Sequence, residues 1–470
     1  MKKVFVSGDF NILHPGHLRL LKFAKESGNY LIVGVNSDKI AANNTILESE
    51  RLENIKSTSY VDEAFLLDTS AINWIKCNKP DIIVKGKEHE NSCNEELEII
   101  KSYGGELLFT SGEIGFASLD LLKKELLHSS KIEHNPAFLK RHKIDFKLLK
   151  DTIDKFKHLN ILVIGDTIID EYITCEPIGM SQEDPTIVVS PLINDKFIGG
   201  AAIVASHAKT LGANVSFVSV LGDDTNYDYI SEHLNQLNIK NFLYKDSTRP
   251  TTLKQRFRAS NKTLLRVNHL KQHAISKDLE KKLLADIKKQ IDQINLIIFS
   301  DFSYGILTNN IINQIVELGS KHGIMMCADS QSSSQVGDIS KFHNMTLVTP
   351  TEREIRLALG DFESGLVVLS KELTNISKPK YIFTTLGAEG IMIYNTNQNE
   401  LLTDNINALG TNVKDVSGAG DSMLTCSSMA LAVGATIWQS AYLGSLASAI
   451  QVSRVGNIPI KKDELLKELE

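Results

Sequence analysis

Residues Gly8–His17 read GDFNILHPGH and indicate the fold of the first part of this chain. They lie between a short apolar run, residues 3–7, and residues 18–27, whose apolar side chains have helical spacing. A strand that passes through a glycine turn into a helix predicts the first unit of a parallel sheet covered by helices. His14 and His17 stand three residues apart in this turn, with a glycine between them.

The two histidines indicate phosphate binding. Imidazoles at this spacing can direct N–H donors at one phosphate, Gly16 lets the backbone approach it, and the start of a helix adds positive potential. Such a site suits attack on the α-phosphate of a nucleoside triphosphate, because that reaction needs mainly positioning and charge stabilisation.

A second phosphate-handling motif stands almost 400 residues later, at Asp415–Asp421, which reads DVSGAGD and precedes a helix rich in small residues. A glycine-rich turn at a helix start leaves backbone N–H groups that form an anion hole. The carboxylate of Asp421 can accept a hydroxyl proton during phosphoryl transfer. This motif therefore predicts transfer of a γ-phosphate to an alcohol.

Length and composition predict a soluble protein of two or three domains. The chain has 470 residues, of which 42% are hydrophobic and 23% are charged, values typical of globular proteins. It contains no apolar run near the roughly 20 residues that span a bilayer, and its first strand is too short for a signal peptide. We therefore expect a cytoplasmic protein with no membrane partner.

Cysteine usage and charge exclude other classes. The five cysteines, at positions 77, 93, 175, 327 and 426, form no CxxC pair. Their odd number and wide spacing favour free thiols in a reducing compartment over a zinc site or a disulfide framework. The net charge is −6 and there is no long basic stripe, which argues against a nucleic-acid partner.

Two α/β domains are predicted, each a doubly wound parallel sheet. Strands and helices alternate until residues 128–145, which are polar, basic and contain a proline. We predict a first domain over residues 1–135, a linker over 136–146 and a second domain over 147–470. Within the second domain, residues 173–197 and 251–269 read as extended β segments, which we interpret as a small β lid.

The N-terminal segment resembles the cytidylyltransferase-like nucleotidyltransferases, whose hallmark is HxGH. The similarity extends beyond this tetrapeptide to the strands, the following helix and the segment PDIIVKG at residues 80–86. By this resemblance His14 and His17 bind the triphosphate and stabilise the transition state. The other nucleotide-binding residues that it implies are Gly8, Phe10, Gly16 and Lys85.

Residues 161–470 resemble the ribokinase-like carbohydrate kinases. The first family signature is matched from Gly199, the second by residues 415–421, and the nucleotide-side turn by residues 385–390. By this resemblance Asp421 is the catalytic base and Glu354 is associated with Mg²⁺. The resemblance also implies an anion hole of Gly418, Ala419 and Gly420, nucleotide contacts at Gly387 and Gly390, and sugar contacts at Asp166, Asp170, Gly199 and Gly200.

Three arginines on the predicted lid, Arg256, Arg258 and Arg266, allow two interpretations. They form either a charged strand face or a clamp for a sugar phosphate, since guanidinium groups match phosphate oxygens.

The combination of both segments is similar to the bifunctional enzymes that make ADP-activated heptose, in the opposite domain order. It implies ATP and Mg²⁺ as kinase requirements, a sugar phosphate and a nucleoside triphosphate as substrates, and a possible homodimer through the kinase lid. In that family one domain phosphorylates heptose 7-phosphate at C1 and the other adenylylates a heptose 1-phosphate.

Two alternatives remain open. The first is a different sugar or polyol with CTP in place of ATP, because HxGH reads phosphates and not the base. The second is a sugar kinase fused to a degenerate nucleotide-binding domain. Asn11 stands where the nucleotidyltransferase family has aspartate, and residues 115–120, GFASLD, are a weak version of its Ser/Thr-rich phosphate motif.

Overall fold

The computed structural model describes residues 2–11, 13, 15–41, 46–86, 96–109, 132–259, 262–332, 337–396, 403–410 and 412–470, and for residues 15, 16 and 19 it describes the backbone only. His14 and the predicted phosphate motif at residues 115–120 therefore lie outside the described residues. The chain forms two compact units, residues 1–129 and 130–470.

Unit 1 alternates strands and helices, as predicted. In chain order these are β1 (Lys3–Gly8), α1 (Pro15–Ser27), β2 (Tyr30–Asn36), α2 (Glu48–Lys56), β3 (Glu63–Leu67), α3 (Ala71–Asn78), β4 (Ile82–Lys85), α4 (Glu96–Ser102) and β5 (Glu106–Phe109). The strands pair in parallel in the order β3-β2-β1-β4-β5. The direction of winding reverses between β1 and β4, and open α/β sheets bind ligands at the carboxyl ends of such a strand pair.

A buried arginine joins the strand ends of unit 1. Arg51, on α2, is fully buried. Its guanidinium donates to the carbonyl oxygens of Asp9 (2.5 Å), Asn36 (2.8 Å) and Ile46 (3.0 Å) and contacts a carboxylate oxygen of Asp38 at 2.6 Å. These contacts hold the loops after β1 and β2 together at the carboxyl edge of the sheet.

Unit 2 begins with two helices, α5 (Pro136–Arg141) and α6 (Phe146–Asp154). The first occupies most of the predicted linker, yet Phe138 is fully buried in the core of unit 2 and His142 stacks on Trp438 with ring centroids 4.1 Å apart. The segment is therefore packed structure and not a free connection. The polar composition and the proline suggested a linker. Proline is compatible with the first position of a helix, however, and Pro136 begins this one.

The strands of unit 2 form two sheets. They are β6 (Asn160–Gly165), β7 (Thr167–Met180), β8 (Ile187–Gly200), β9 (Asn214–Leu221), β10 (Lys240–Lys245), β11 (Thr252–Ala259), β12 (Lys262–His269), β13 (Leu296–Asp301), β14 (Met325–Ser330), β15 (Leu347–Val348), β16 (Tyr381–Thr385), β17 (Ile391–Asn395) and β18 (Thr403–Ile406). The main sheet has the order β10-β9-β6-β13-β14-β15-β16-β17-β18. It is parallel except for the antiparallel strands β17 and β18 at one edge.

The helices of unit 2 cover both faces of the main sheet. After α6 they are α7 (Ala201–Thr210), α8 (Thr225–Gln236), α9 (Lys277–Gln290), α10 (Asn309–Lys321), α11 (Glu352–Leu359), α12 (Leu366–Ser377), α13 (Ala419–Ala432), α14 (Ile437–Val452) and α15 (Lys462–Lys467). Two separate apolar cores lie on the two sides of the sheet. This arrangement confirms the doubly wound α/β fold that the alternation of strands and helices predicts.

The second sheet of unit 2 is the lid. It has four strands in the order β12-β11-β7-β8, with β11 parallel to β7 and the two outer pairings antiparallel. Strand β7 begins two residues after β6 ends, so the lid leaves the main sheet at Asp166. The predicted β lid is confirmed, and it starts a few residues earlier than the sequence pattern indicates.

Small residues let α13 and α14 cross closely. The hydroxyl groups of Ser427 and Ser440 each donate to the other residue's carbonyl oxygen, at 3.1 and 2.8 Å. A Cβ atom on Gly444 would lie 2.0 Å from the Ser427 hydroxyl. Close packing fixes α13 against the sheet, and with it Asp421 in the first turn of that helix.

None of the helices in the described ranges is both long and apolar enough to span a membrane. Cys77, Cys175, Cys327 and Cys426 are free thiols, and Cys93 lies outside the described residues.

We predict that Arg51→Met destabilises unit 1 by at least about 3 kcal/mol, because the buried backbone carbonyls that it serves lose their donor. Trp74 reports on this unit, since it stacks on Phe5 with ring centroids 4.2 Å apart. Urea unfolding would be followed by Trp74 fluorescence in a Trp438→Phe background, which removes the other tryptophan.

Lys39→Met is the matched control, because Lys39 makes an exposed ion pair with Asp68 at 3.5 Å. Such a pair contributes less than about 1 kcal/mol. Equal unfolding free energies for the Arg51 and Lys39 variants would contradict the structural role of Arg51.

Candidate active sites

The first candidate site lies where β1 ends in unit 1. Phe10 is buried and has a positive φ of 48°, a conformation that costs a side chain other than glycine about 1–3 kcal/mol. Its ring meets the His17 ring edge-on, with centroids 5.2 Å apart. The Phe10 ring also lies 3.4 Å from the position that a Cβ on Gly8 would take. The strained turn thus packs Phe10 between β1 and the histidine helix.

His17 is the third residue of α1 and is partly exposed. Gly16 stands in the first turn of the same helix, and His14 lies outside the described residues. The first turn of α1 therefore carries one predicted catalytic side chain at a helix start, where the helix dipole favours an anion. An anion placed there can be contacted by both.

Lys85 ends β4, the strand next to β1. Its ammonium group pairs with Glu96 at 3.0 Å, and both side chains are largely buried. The predicted phosphate contact therefore requires Lys85 to exchange Glu96 for a phosphate. Glu96, the first residue of α4, was not expected at this site, since nothing in its local sequence distinguishes it from a solvent-exposed helix residue.

The second candidate site lies at the carboxyl edge of the main sheet in unit 2 and centres on Asp421. This side chain is 5% exposed, and its carboxylate accepts a hydrogen bond from Gln331 at 3.2 Å. Burial raises the pKa of Asp421 to about 7, and the negative charge of Asp170 adds to the rise, against Lys254 and Gln331. A carboxylate with this pKa can take up a proton near neutral pH.

The start of α13 lies beside that carboxylate, and of its first amides the Ala419 N–H donates weakly to the Val416 carbonyl oxygen at 3.4 Å. Gly418 is the N-cap residue with a φ of 77°, and among the described residues no side chain caps the helix. A Cβ on Gly418 would lie 2.2 Å from the Asn457 amide oxygen. The glycine is therefore required by both conformation and space, and Gly418, Ala419 and Gly420 offer the N–H groups predicted for an anion hole.

Asp166 is buried where the lid leaves the main sheet. One carboxylate oxygen accepts from the backbone amides of Phe302 (2.8 Å) and Tyr304 (3.2 Å). The other has no hydrogen-bond partner within the described part of the chain. Burial raises the pKa of Asp166 to about 6, with a contribution from Asp301. A buried acceptor without a donor is suited to a ligand hydroxyl.

Asp170 lies four residues further along, on the lid. Arg256 and Asn457 each place a nitrogen 3.4 Å from its carboxylate. Burial raises the pKa of Asp170, against the charges of Arg256 and Lys254. Asn457, which contacts Asp170, also lies against Gly418 at the start of α13. The structure therefore brings the predicted residues Asp170 and Asp421 close together, in what we call the acidic pocket.

Two glycines on β8 lie against the acidic residues of this pocket. A Cβ on Gly199 would lie 2.7 Å from the Asp170 carboxylate, and one on Gly200 would lie 2.3 Å from the Asp166 carbonyl oxygen. Gly200 also has a φ of 60°. Both predicted sugar-binding glycines therefore allow the backbone of β8 to approach the acidic residues.

On the nucleotide side, Gly387 and Gly390 flank the turn after β16, with φ values of 62° and 95°. A cavity of about 410 Å³ opens beside this turn, lined by Thr351, Glu352, Arg353, Arg356, Phe362, Thr385, Leu386 and Gly387. Gly387 thus borders a cavity, and Gly390 serves the turn itself, because a Cβ there would lie 2.0 Å from the Ile406 carbonyl oxygen.

Glu354 caps a helix in addition to facing the site. Its two carboxylate oxygens accept from the backbone amides of Ser332 (2.7 Å) and Thr351 (2.8 Å). Asp329, at the end of β14, lies near Glu354 and was missed by sequence reasoning. Burial, with the charges of Glu354 and Asp421, raises the pKa of Asp329 well above its usual range.

One oxygen of Asp329 has no partner among the described residues, and these residues contain no cluster of three or more metal-binding side chains. Mg²⁺ usually takes one or two carboxylates together with substrate phosphates, so Asp329 and Glu354 fit such an ion. The available sequence signal for this residue was an aspartate at the carboxyl end of an apolar strand.

The lid arginines share one face with Asp170. Register pairs Asp170 with Lys254, Tyr172 with Arg256, and Arg256 with Arg266. Residues directly opposite each other on paired strands project to the same face. Arg266 is exposed at the outer edge of this row, which places a strip of cations beside the acidic pocket.

Comparison with known proteins finds a family match in each unit. Residues 158–463 match the model of the pfkB family of carbohydrate kinases, and residues 5–106 match the cytidylyltransferase-like family. Bifunctional protein HldE of Desulfatibacillum aliphaticivorans is 29% identical over 68% of this chain and 64% of its own length. HldE of Campylobacter jejuni is 31% identical over 65% of this chain and 63% of its own length. The aligned region thus spans less than two thirds of these relatives.

Solved structures share the fold of the larger unit. Phosphofructokinase-2 from Escherichia coli and ribokinase from Giardia lamblia each superpose with a TM-score of 0.54 over 66% of this chain, at 16% and 20% identity. The superposed regions include 97% of the phosphofructokinase-2 chain and 98% of the ribokinase chain. With a family model matched over residues 158–463, this chain belongs to the pfkB family of carbohydrate kinases and carries a cytidylyltransferase-like segment before the kinase unit.

Proposed function

We propose that this chain is a bifunctional transferase that makes a nucleotide-activated sugar, ADP-heptose, from heptose 7-phosphate. Unit 2 would act as an ATP-dependent sugar kinase and unit 1 as a sugar-1-phosphate nucleotidyltransferase. The observation that carries the proposal is the buried Asp421 carboxylate at the start of α13, which no described side chain caps, beside the acidic pocket of Asp166 and Asp170.

In the kinase reaction, the C1 hydroxyl oxygen of the sugar attacks the γ-phosphorus of ATP. The new O–P bond forms as the bond from the γ-phosphorus to the bridging oxygen breaks, and ADP leaves. Asp421 accepts the hydroxyl proton, while the amides of Gly418–Gly420 stabilise the charge on the transferred group. Asp166 and Asp170 orient the sugar through its other hydroxyl groups.

Mg²⁺ would be held by Asp329, Glu354 and the triphosphate, and it would neutralise phosphate charge during transfer.

The lid favours an acceptor that already carries a phosphate. Lys254, Arg256, Arg258 and Arg266 lie on the face of the lid that bears Asp170. Guanidinium groups bind phosphate oxygens through paired N–H donors. The clamp interpretation therefore fits better than a solvated charged face, because Asp170 on the same face points to the sugar pocket.

In the nucleotidyl reaction, an oxygen of the sugar 1-phosphate attacks the α-phosphorus of a nucleoside triphosphate. The bond between the α-phosphorus and the bridging oxygen breaks, and pyrophosphate leaves. His17 and the start of α1 would stabilise the phosphate charge, with His14 as the partner that the HxGH motif implies. ATP is proposed as the nucleotide because the combination of both segments resembles the enzymes that make ADP-activated heptose. CTP stays the alternative.

A homodimer through the lid also stays a prediction. Exposed apolar side chains on the lid, Leu192, Ile193 and Leu265 among them, support it.

We expect Asp421→Asn to reduce ADP formation from ATP and heptose 7-phosphate by about 10³-fold, since amides cannot accept the proton. Pyrophosphate release from ATP and heptose 1-phosphate should stay unchanged. His17→Ala should do the reverse, with a loss of about 10²-fold or more in pyrophosphate release.

Loss of both activities in either folded variant would contradict independent sites. Pyrophosphate release with CTP alone would favour the first alternative, and ADP formation without any pyrophosphate release would favour a degenerate first unit.

The kinase rate should follow the ionisation of Asp421. Because the base acts in its deprotonated form, kcat should rise with pH, reach half its maximum near pH 7 and fall about tenfold per unit below that. Lys254→Met should move the midpoint upward, since the lysine charge lowers the pKa of Asp421. A midpoint that is identical in both proteins would assign the titration to the substrates.

Arg266→Ala should raise the KM for heptose 7-phosphate by about tenfold, equivalent to about 1.4 kcal/mol, and leave the KM for a heptose without the phosphate unchanged. Lys262→Ala, at the far end of the same strand, is the control. An equal rise in KM for both acceptors would contradict a phosphate clamp.

A further inference from the structure

One side chain, Tyr172, joins the lid to the loop before the anion hole. It lies on β7, next to Arg256 in the register of the lid, and is 3% exposed. Its hydroxyl group donates to the Asp415 carboxylate at 2.7 Å and lies 3.0 Å from the Ser417 hydroxyl. Both partners belong to the motif that leads into Gly418. The lid therefore contacts the anion-hole loop through a specific polar link.

The ring of the same tyrosine contacts the cations that the acceptor would use. The guanidinium carbons of Arg256 and Arg258 lie 5.1 and 5.4 Å from the centre of the Tyr172 ring, within the range of cation–π attraction. Burial raises the pKa of Tyr172 to about 12, so its hydroxyl stays a donor at neutral pH. One end of the residue thus meets the lid cations and the other meets Asp415.

Asp415 connects Tyr172 to the backbone through further hydrogen bonds. Besides Tyr172, its carboxylate accepts from the amides of Ser417 (3.0 Å) and Gly456 (3.1 Å). Although burial acts to raise it, the pKa of Asp415 is lowered by these donors, Tyr172 first among them. Gln451 adds a second tie, since its amide nitrogen donates to the carbonyl oxygens of Ser417 (3.3 Å) and Gly456 (2.9 Å).

We propose that Tyr172 is a positioning residue that couples acceptor binding on the lid to the organisation of the anion hole. A phosphate bound by Arg256 and Arg258 fixes the lid strand against the Tyr172 ring. The hydroxyl group then holds Asp415 and Ser417, and through them the amides of Gly418–Gly420, in the position that receives the γ-phosphoryl group. Without the link, the anion hole is less well ordered, and water competes with the sugar as acceptor.

This inference rests on the proposed kinase function and concerns the rate and coupling of that reaction. In both outcomes the bond between the γ-phosphorus of ATP and its bridging oxygen breaks, and ADP is released. In the coupled reaction the phosphoryl group joins the sugar oxygen. In the uncoupled reaction it joins a water oxygen and gives inorganic phosphate.

The test compares wild type with Tyr172→Phe, using ATP, Mg²⁺ and heptose 7-phosphate. Phenylalanine keeps the ring between the arginines and removes only the hydroxyl. We expect the acceptor KM to stay within twofold, kcat to fall about tenfold or more, and the ratio of ADP to phosphorylated sugar to rise above one. Ser417→Ala, which removes the other hydroxyl partner, should change kcat in the same direction by a smaller factor.

Tyr244→Phe is the matched control, because the Tyr244 hydroxyl also donates to a carboxylate, that of Asp286, at 2.7 Å. It lies on β10, at the edge of the main sheet opposite β18. It should leave kcat and coupling unchanged at a comparable loss of thermal stability.

Two results would overturn the inference. One is an unchanged kcat and ADP-to-sugar ratio in Tyr172→Phe, and the other is a loss shared equally with Tyr244→Phe. A wild-type protein that forms no phosphorylated heptose would overturn the proposed kinase function and the coupling with it, whereas active wild type with an unaffected Tyr172→Phe overturns the coupling alone.

Discussion

The larger unit depends on holding several carboxylates out of water around one pocket. Asp166, Asp170, Asp329 and Asp421 are each less than a tenth exposed, and burying a charged carboxylate costs several kcal/mol unless it is paired or protonated. Here the donors are few, and two of these residues keep an oxygen without a partner in the described ranges. A ligand that brings hydroxyl groups or cations therefore stabilises these buried carboxylates, because it supplies the donors and the positive charge that they lack.

The rest of unit 2 can be understood as the support for that pocket. Three glycines, Gly199, Gly200 and Gly418, bring backbone within reach of the carboxylates where any Cβ would collide. The close crossing of α13 and α14 through Ser427 and Ser440 fixes the helix that carries Asp421. Two apolar cores on the faces of the main sheet supply the stability that compensates for the desolvated carboxylates of the site.

Unit 1 also buries a charged side chain at the carboxyl edge of its sheet, but the charge is positive. Its buried polar group is a cation, Arg51, whose donors serve backbone carbonyls at the ends of β1 and β2. The strain lies in the backbone at Phe10, next to the histidine helix. Both units thus place a loop that we predict to bind phosphate at the carboxyl edge of a parallel sheet, where helix starts and strand ends converge. The larger one surrounds it with carboxylates and the smaller one with amides, imidazole and lysine.

The amino-acid sequence alone predicts the two α/β units, the lid and the motifs at Gly8–His17 and Asp415–Asp421, because strand and helix periodicity and glycine turns are local properties. It could not reveal the packing of Phe138 into unit 2, the pairing of Lys85 with Glu96, or the convergence of Asp329 on Asp421. Those contacts join residues from separate elements, and only the packing of helices and strands in the folded chain brings them together. The raised pKa of Asp421 is likewise a property of burial, which only the tertiary structure sets.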